Sequence, residues 1–277
     1  MLYAARSDLR CRLVPDLPWQ AIGVSGAVLY FIRCVWEKGI LWEHGAVSAS
    51  MLCAIAAATW GNSRQDAVLA IASAALAAAA FLGGNGGRLA EAGIIAVTFC
   101  LIYYIMYVVD ILRGGADAKC LMALTVAFPL YPSFLGLPLW GEGGAPSGAL
   151  VFSAAVLFCA GIATVAFGAA YFLWKKPPEG TKRSLSGFRI PLADAESGLV
   201  WPMEDVVDGE VVRIGPEDHE ASEIYARLRA AGRTDVLVTP MIPFIVPLAA
   251  SFVVVTVIGD PFCQRSEERR VGKECRS

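Results

Sequence analysis

Two aspartates stand where an otherwise apolar chain has reason to exclude them. Asp8 lies in the segment RSDLRCR, and Asp117 lies in ILRGGADAK, Ile111 to Lys119, between two long apolar runs. An ionised carboxylate at membrane depth is disfavoured by about 2.5–3.5 kcal/mol on insertion scales, so acids at or near that depth are candidates for function. The chemistry open to them is proton transfer, either to a reacting group or along an ion path. Gly114, Gly115 and Ala116 are small enough for a neighbouring helix or a substrate backbone to come close to Asp117. The same glycines would also serve simply to end the preceding helix. Asp110 has the heptad spacing that would return it to the face of Asp117 on an unbroken helix, but Gly114 and Gly115 argue for a break. Lys119 is placed to influence an aspartate or a charged substrate, and equally to reach out to lipid headgroups.

The elements that must position these residues are membrane spans. The chain has 277 residues, of which 56% are hydrophobic and 17% charged, with a mean hydropathy of +0.56. That is more apolar surface than a soluble domain of this length can bury. The runs Leu17–Trp36, Ala46–Trp60, Ala67–Leu82, Leu89–Leu112, Ala118–Leu139, Ala149–Trp174 and Val238–Ile258 are each close to the roughly 20 residues that cross a hydrocarbon core of about 30 Å. Met1–Ser7 is too short to cross and reads as the last turns of a first helix whose start lies upstream. The expected fold is an all-α polytopic membrane protein, a helical bundle of about seven spans plus a truncated first helix.

Lysine and arginine gather in the cytoplasmic loops of such bundles. Here the basic breaks alternate with poor ones. The rich breaks hold Arg6, Arg10 and Arg12, then Arg64, then Arg113 and Lys119, then Lys175, Lys176, Lys182 and Arg183. Taken as cytoplasmic, they put Asp8 and Asp117 on one side, because an even number of spans separates them. From Lys175 to Leu237 the chain turns polar, long enough for a small cytoplasmic α/β domain inserted before the last span. There Asp208-Gly209 is a hairpin signal between VWPMEDVV and EVVRI. Asp218 is placed to cap a helix that runs to about Ala231 and stops at Gly232, with a strand DVLV after it. The acids Asp194, Glu196, Glu204, Asp205, Glu217, Asp218 and Glu220 make this domain locally acidic. The final span opens TPMIPFIVP, where Pro240, Pro243 and Pro247 should distort the first turns.

Several function classes find no support. Eight cysteines, Cys11, Cys34, Cys53, Cys100, Cys120, Cys159, Cys263 and Cys275, stand singly and read as small apolar fillers of helices. His44 and His219 read as solvated loop residues. Neither a metal site nor another cofactor is implied, and without a basic patch interleaved with aromatics nucleic acid is not an expected partner. The tail RSEERRVGKECRS reads as translated sequencing-adapter DNA, so Arg265–Ser277 is set aside. The expected organisation is a membrane core over 1–174, the polar domain over 175–237, a last membrane helix over 238–264 and the tail over 265–277.

GGADAK resembles the GxGD signature of the type IV prepilin peptidase and archaeal preflagellin peptidase family, membrane-embedded aspartic proteases that cut the leaders of pilin-like precursors. SDLRCRLVPD resembles the family's other block, an aspartate at the cytoplasmic end of the first helix followed by a hydrophobic-Pro-Asn sequence. The last span, VTPMIPFIVPLAASFVVVTVIGD, is similar to the ending of archaeal members. Two positions depart: Ala116 replaces the second glycine of GxGD, and Asp16 stands after Pro15 where Asn is usual.

The resemblance implies a catalytic pair, Asp8 and Asp117, with Gly114, Gly115, Ala116 and Lys119 shaping the site, in the plasma membrane, at its cytoplasmic face. The substrates it implies are pilin-like or flagellin-like precursors with a short basic leader and an apolar helix, reached from membrane lipid. Two carboxyls held close share one proton: the ionised one activates water and the protonated one binds the scissile carbonyl oxygen. Rival expectations are an ion-coupled transporter lined by Asp8, Asp110 and Asp117, and an inactive scaffold whose polar domain binds a partner.

Overall fold

The computed structural model describes residues 1–11, 14–60, 63–84, 87–112, 114–132, 137, 151–174, 187–198, 200–207, 209–214, 221–240 and 244–259. By the packing of the backbone the chain divides into two units, Met1–Ala163 with Pro243–Ser277, and Thr164–Ile242.

The first unit is helical: α1 (Leu2–Cys11), α2 (Leu17–Lys38), α3 (Trp42–Thr59), α4 (Ser63–Gly83), α5 (Gly87–Val108), α6 (Gly115–Ala127), the first part of α7 (Phe152–Trp174), and then α10 (Ile245–Ile258). Among the described residues, four stretches are long and apolar enough to cross a membrane: Leu17–Lys38, Arg64–Gly83, Gly87–Val108 and Phe152–Ala170. Their outer faces carry exposed Val28, Leu29, Ile71, Phe81, Ile105 and Val165, an arrangement suited to lipid and costly in water. The bundle is consistent with a helical membrane protein, although the spans that meet this criterion are fewer than the seven runs.

Two of the runs are interrupted for physical reasons. The run Ala118–Leu139 does not stay helical, because Pro129 and Pro132 follow α6; the residue before a proline is pushed out of the helical region, and Phe128 lies at φ −130°, ψ 68°. The run Val238–Ile258 is split as well. Val238–Pro240 belong to a strand, and the helix of this run spans Ile245–Ile258.

The α6 helix is enclosed by its neighbours. Ala118 and every residue from Cys120 to Val126 are buried, so the helix is apolar all round and sits among α2, α3 and α5. Glycine sets the closest of these approaches. A Cβ on Gly26 of α2 would stand 2.6 Å from the Ala127 Cα and 2.8 Å from its nitrogen. On α5, a Cβ at Gly93 would meet Val47 at 2.6 Å. Beside Gly93, the Tyr30 hydroxyl crosses from α2 to donate to the Leu89 carbonyl at 2.9 Å.

Where no water competes, such contacts and interhelical hydrogen bonds hold helices together. Ser50 and Ser73 exchange bonds between α3 and α4, each hydroxyl donating to the other's carbonyl at 2.6 and 2.9 Å. Thr125 donates to the Ser153 hydroxyl at 2.6 Å, joining α6 to α7. Beyond α6, the rings of Phe128, Tyr131, Phe152 and Phe252 pack at 5.3–5.7 Å between centroids.

The second unit holds β1 (Phe188–Pro191), α8 (Leu192–Ser197), β2 (Val200–Pro202), β3 (Glu204–Val207), β4 (Glu210–Arg213), α9 (Ala221–Ala230) and β5 (Asp235–Pro240). The last strand is central in an antiparallel sheet of order β1-β5-β2. Strands β3 and β4 form the expected hairpin, with Val207 opposite Glu210 and Gly209 at φ +82°. Helix α9 stops as expected: Gly232, at φ +71°, donates its N–H to Arg229, and Arg233 donates to Leu228. Asp218 and His219 lie outside the described residues. Leu192, Ile224, Tyr225, Leu228, Val236 and Val238 make the core of this unit.

The close approach at Gly26 is testable in the purified protein. Gly26→Ala puts a methyl against backbone, which no rotamer change relieves, and is expected to destabilise by about 1–3 kcal/mol. Gly45→Ala, where a Cβ meets nothing within 4 Å, is expected to be neutral or to stabilise by up to about 1 kcal/mol. Thermal unfolding in detergent reads both; equal losses would show that Gly26 does not set the α2–α6 spacing.

Candidate active site

Asp117 is in the first turn of α6. The chain enters from Gly114 in an extended conformation (φ −85°, ψ 104°), and the Asp117 and Ala118 amides donate to the Gly114 carbonyl at 3.0 and 3.1 Å. An acid here is favoured by the positive end of the helix dipole. Its carboxyl folds back over the Gly114 Cα. A Cβ on that glycine would stand 2.8 Å from the Asp117 Cγ and closer still to Oδ2. Gly114 is therefore small for a steric reason, since its backbone angles suit any residue. Gly115 is different: a Cβ there would make ordinary contact with the Tyr107 ring at 3.5–3.8 Å.

Asp8 reaches this point from α1. The helix runs on through Asp8 to Cys11, where the sequence suggested a charged loop, and Ala4 and Ala5 are buried in the bundle. Helix α1 packs against α10, and just before its start the Met1 sulfur lies 3.7 Å from the Cys120 sulfur of α6. One carboxylate oxygen of Asp8 is buried, and Asp8 is the charge that acts on the half-buried Asp117. Two carboxyls far apart in the chain thus fall within electrostatic range at one end of the bundle.

Lys119 turns elsewhere. Its Nζ donates to Asp16 Oδ1 at 2.7 Å, a bond from α6 to the residue that opens α2. Helices α2 and α6 therefore begin at the same end of the unit, as the even number of intervening runs required. Asp110 does not join the pair. Helix α5 ends at Val108 and Asp110 is exposed in the left-handed region at φ 59°. The Ile111 and Leu112 amides wrap back to the Met106 carbonyl at 2.9 and 3.0 Å, so the unbroken helix that heptad alignment needs is absent.

His44 was misread from sequence, and its neighbour Glu43 shares its setting. Glu43 and His44 belong to the first turn of α3 and are fully buried; they are not in a solvated loop. Gly83, the last residue of α4, makes room for Glu43: a Cβ there would lie 2.9 Å from the Glu43 Cγ. Both Glu43 oxygens are buried without a hydrogen-bond partner among the described residues. The hydrophobic ILW before Glu43 was the available signal that helix begins there.

In the second unit the acids are largely structural. Buried Asp205 accepts two bonds from Arg227, at 2.9 and 2.8 Å. Buried Glu204 is held by Arg189, and Glu196 by Arg229. Burial, reinforced by the Glu196 charge, pushes the Tyr225 phenol above its ordinary pKa, and it donates to the Val200 carbonyl at 3.4 Å. These pairings reduce the negative surface suggested by the acid count.

No family model, curated protein or solved structure matches this chain.

The fit between Gly114 and Asp117 predicts a coupling. Gly114→Ala is expected to destabilise by about 1–3 kcal/mol, while in an Asp117→Ala background the same change has little effect because the clashing carboxyl is gone. Gly115→Ala should be close to neutral. Additive losses in this cycle, measured by thermal unfolding, would mean that the carboxyl does not rest on Gly114.

Proposed function

We propose that this protein is a membrane-embedded aspartic endopeptidase that removes the short basic leader from prepilin- or preflagellin-type precursors. The observation that carries the proposal is that Asp8 on α1 acts electrostatically on Asp117 at the start of α6. Repulsion between two carboxylates at short range keeps one proton between them. The ionised member takes a proton from water as that water attacks the scissile carbonyl. The protonated member hydrogen-bonds the carbonyl oxygen and then assists departure of the amine. All bonds made and broken belong to the peptide, the water and the two acids.

The small residues before Asp117 support the same reading, since an extended peptide must come within hydrogen-bonding distance of both carboxyls. The excess of basic residues in the breaks beside Asp8 and Asp117 favours a cytoplasmic site in the plasma membrane, with 175–237 on the same side. A substrate with an apolar helix would arrive through the lipid and expose its leader junction there.

Mixing membranes that hold the full-length protein with a pilin-like precursor is the test. The expected outcome is loss of the leader, slowed by about 10²- to 10⁴-fold in Asp8→Asn and in Asp117→Asn. The rate should fall on both sides of one pH optimum, where the pair gains a second proton or loses its only one. Undiminished cleavage in both variants rejects the dyad; proton flux abolished by the same substitutions, without cleavage, selects the transporter.

A further inference from the structure

The Lys119–Asp16 bond is unusual for both of its residues. Aspartate before a helix ordinarily accepts hydrogen bonds from the first free amides. Asp16 opens α2 yet makes no such cap, and its carboxylate is given to Lys119 at 2.7 Å. Lysine is ordinarily favoured near the C-terminal end of a helix. Lys119 sits near the N-terminal end of α6, with its side chain only 22% exposed. Two local preferences are set aside at one contact, as happens where a contact serves a site.

Its position suggests which site. Lys119 follows Asp117 by two residues in the opening turns of α6, so whatever anchors Lys119 also orients the turn bearing the Asp117 carboxyl. The close approach of α2 to α6 at Gly26 and Ala127 lies at the opposite end of α6. Without the ion pair, the acid-bearing end would lose this charged tie to α2 while the far end kept its close backbone approach. The pair also occupies the cation nearest Asp117 in sequence on α6, which would otherwise be available to the dyad.

We propose that Lys119 and Asp16 are positioning residues of the Asp8/Asp117 site: their ion pair latches the start of α6 to the start of α2 and so aims the Asp117 carboxyl at Asp8. The inference rests on the peptidase reading. It treats Asp16 as a working part of the site, where the resembling family has asparagine. A displacement of about 1 Å in a reacting group is enough to slow catalysis by about 10²-fold.

The experiment measures kcat and KM for precursor cleavage by the full-length protein in membranes. Asp16→Asn and Lys119→Met are each expected to lower kcat by about 10- to 100-fold with KM little changed. The double variant should be no worse than either single one, and Lys119→Arg should keep most of the activity. The exchanged pair, Asp16→Lys with Lys119→Asp, should recover to within a few-fold of the parent. A parent-like kcat in both single variants overturns the latch, as does an exchanged pair no better than the singles. A raised KM with unchanged kcat would instead assign Lys119 to substrate binding.

A second readout does not need catalysis. In protein carrying Asp8→Cys and Asp117→Cys, with the native cysteines replaced, a short bis-maleimide should join the two positions. The yield should fall several-fold on Asp16→Asn or Lys119→Met and return in the exchanged pair. An unchanged yield rejects the latch even if the parent cleaves nothing, whereas a parent that cleaves nothing rejects only the peptidase reading.

Discussion

The arrangement depends on how closely α6 can lie against α2. A helix that carries an acid and is buried on every side must be gripped by its neighbours, because neither lipid nor water holds it in place. At its C-terminal end the grip is steric: Gly26 brings two backbones together at a spacing that even alanine would spoil. At its N-terminal end it is electrostatic, the Lys119–Asp16 bond. Between these points the face of α6 is filled by small and flexible residues, Cys120, Met122 and Ala123 among them. The direction of the Asp117 carboxyl follows from all three.

The two units answer their surroundings with different interactions. In the helical unit, apolar burial alone discriminates poorly between helix partners, since lipid tails are as apolar as leucine. Specificity comes from hydroxyls that donate across helix pairs, as at Ser50–Ser73 and Thr125–Ser153, and from glycines that admit a neighbour. In the second unit a small apolar core is framed by arginine–carboxylate pairs, with Asp205 and Glu204 buried beneath Arg227 and Arg189. Such pairs specify geometry when fully hydrogen-bonded, as at the two bonds from Arg227 to Asp205.

Much of this was legible in the primary structure, and the failures are instructive. The runs assigned to α2, α4, α5 and α7 agree with the helices to within a few residues, because continuous hydrophobicity over such lengths has few other solutions. The hairpin at Gly209 and the helix stop at Gly232 were legible for a local reason, glycine's tolerance of positive φ. The run that opened at Ala118 is cut short where the backbone breaks before Pro129, and the run that opened at Val238, whose prolines already pointed to a distorted start, yields Val238–Pro240 to a strand. His44 was misassigned because its burial in the first turn of α3 depends on helices that pack around it from elsewhere in the chain.

Sequence by itself determined an apolar helical chain, the breaks between its helices and the two acids worth attention, since each follows from residue type and short-range spacing. It also required Asp8 and Asp117 to share an end, a matter of counting alternating runs. Only the tertiary structure decided that the two carboxyls approach each other, that Lys119 belongs to Asp16, and that Asp110 lies outside the group. Those outcomes depend on the rotation of each helix about its axis and on the depth to which it packs. Both are fixed by contacts between residues far apart in the chain, which no local pattern encodes.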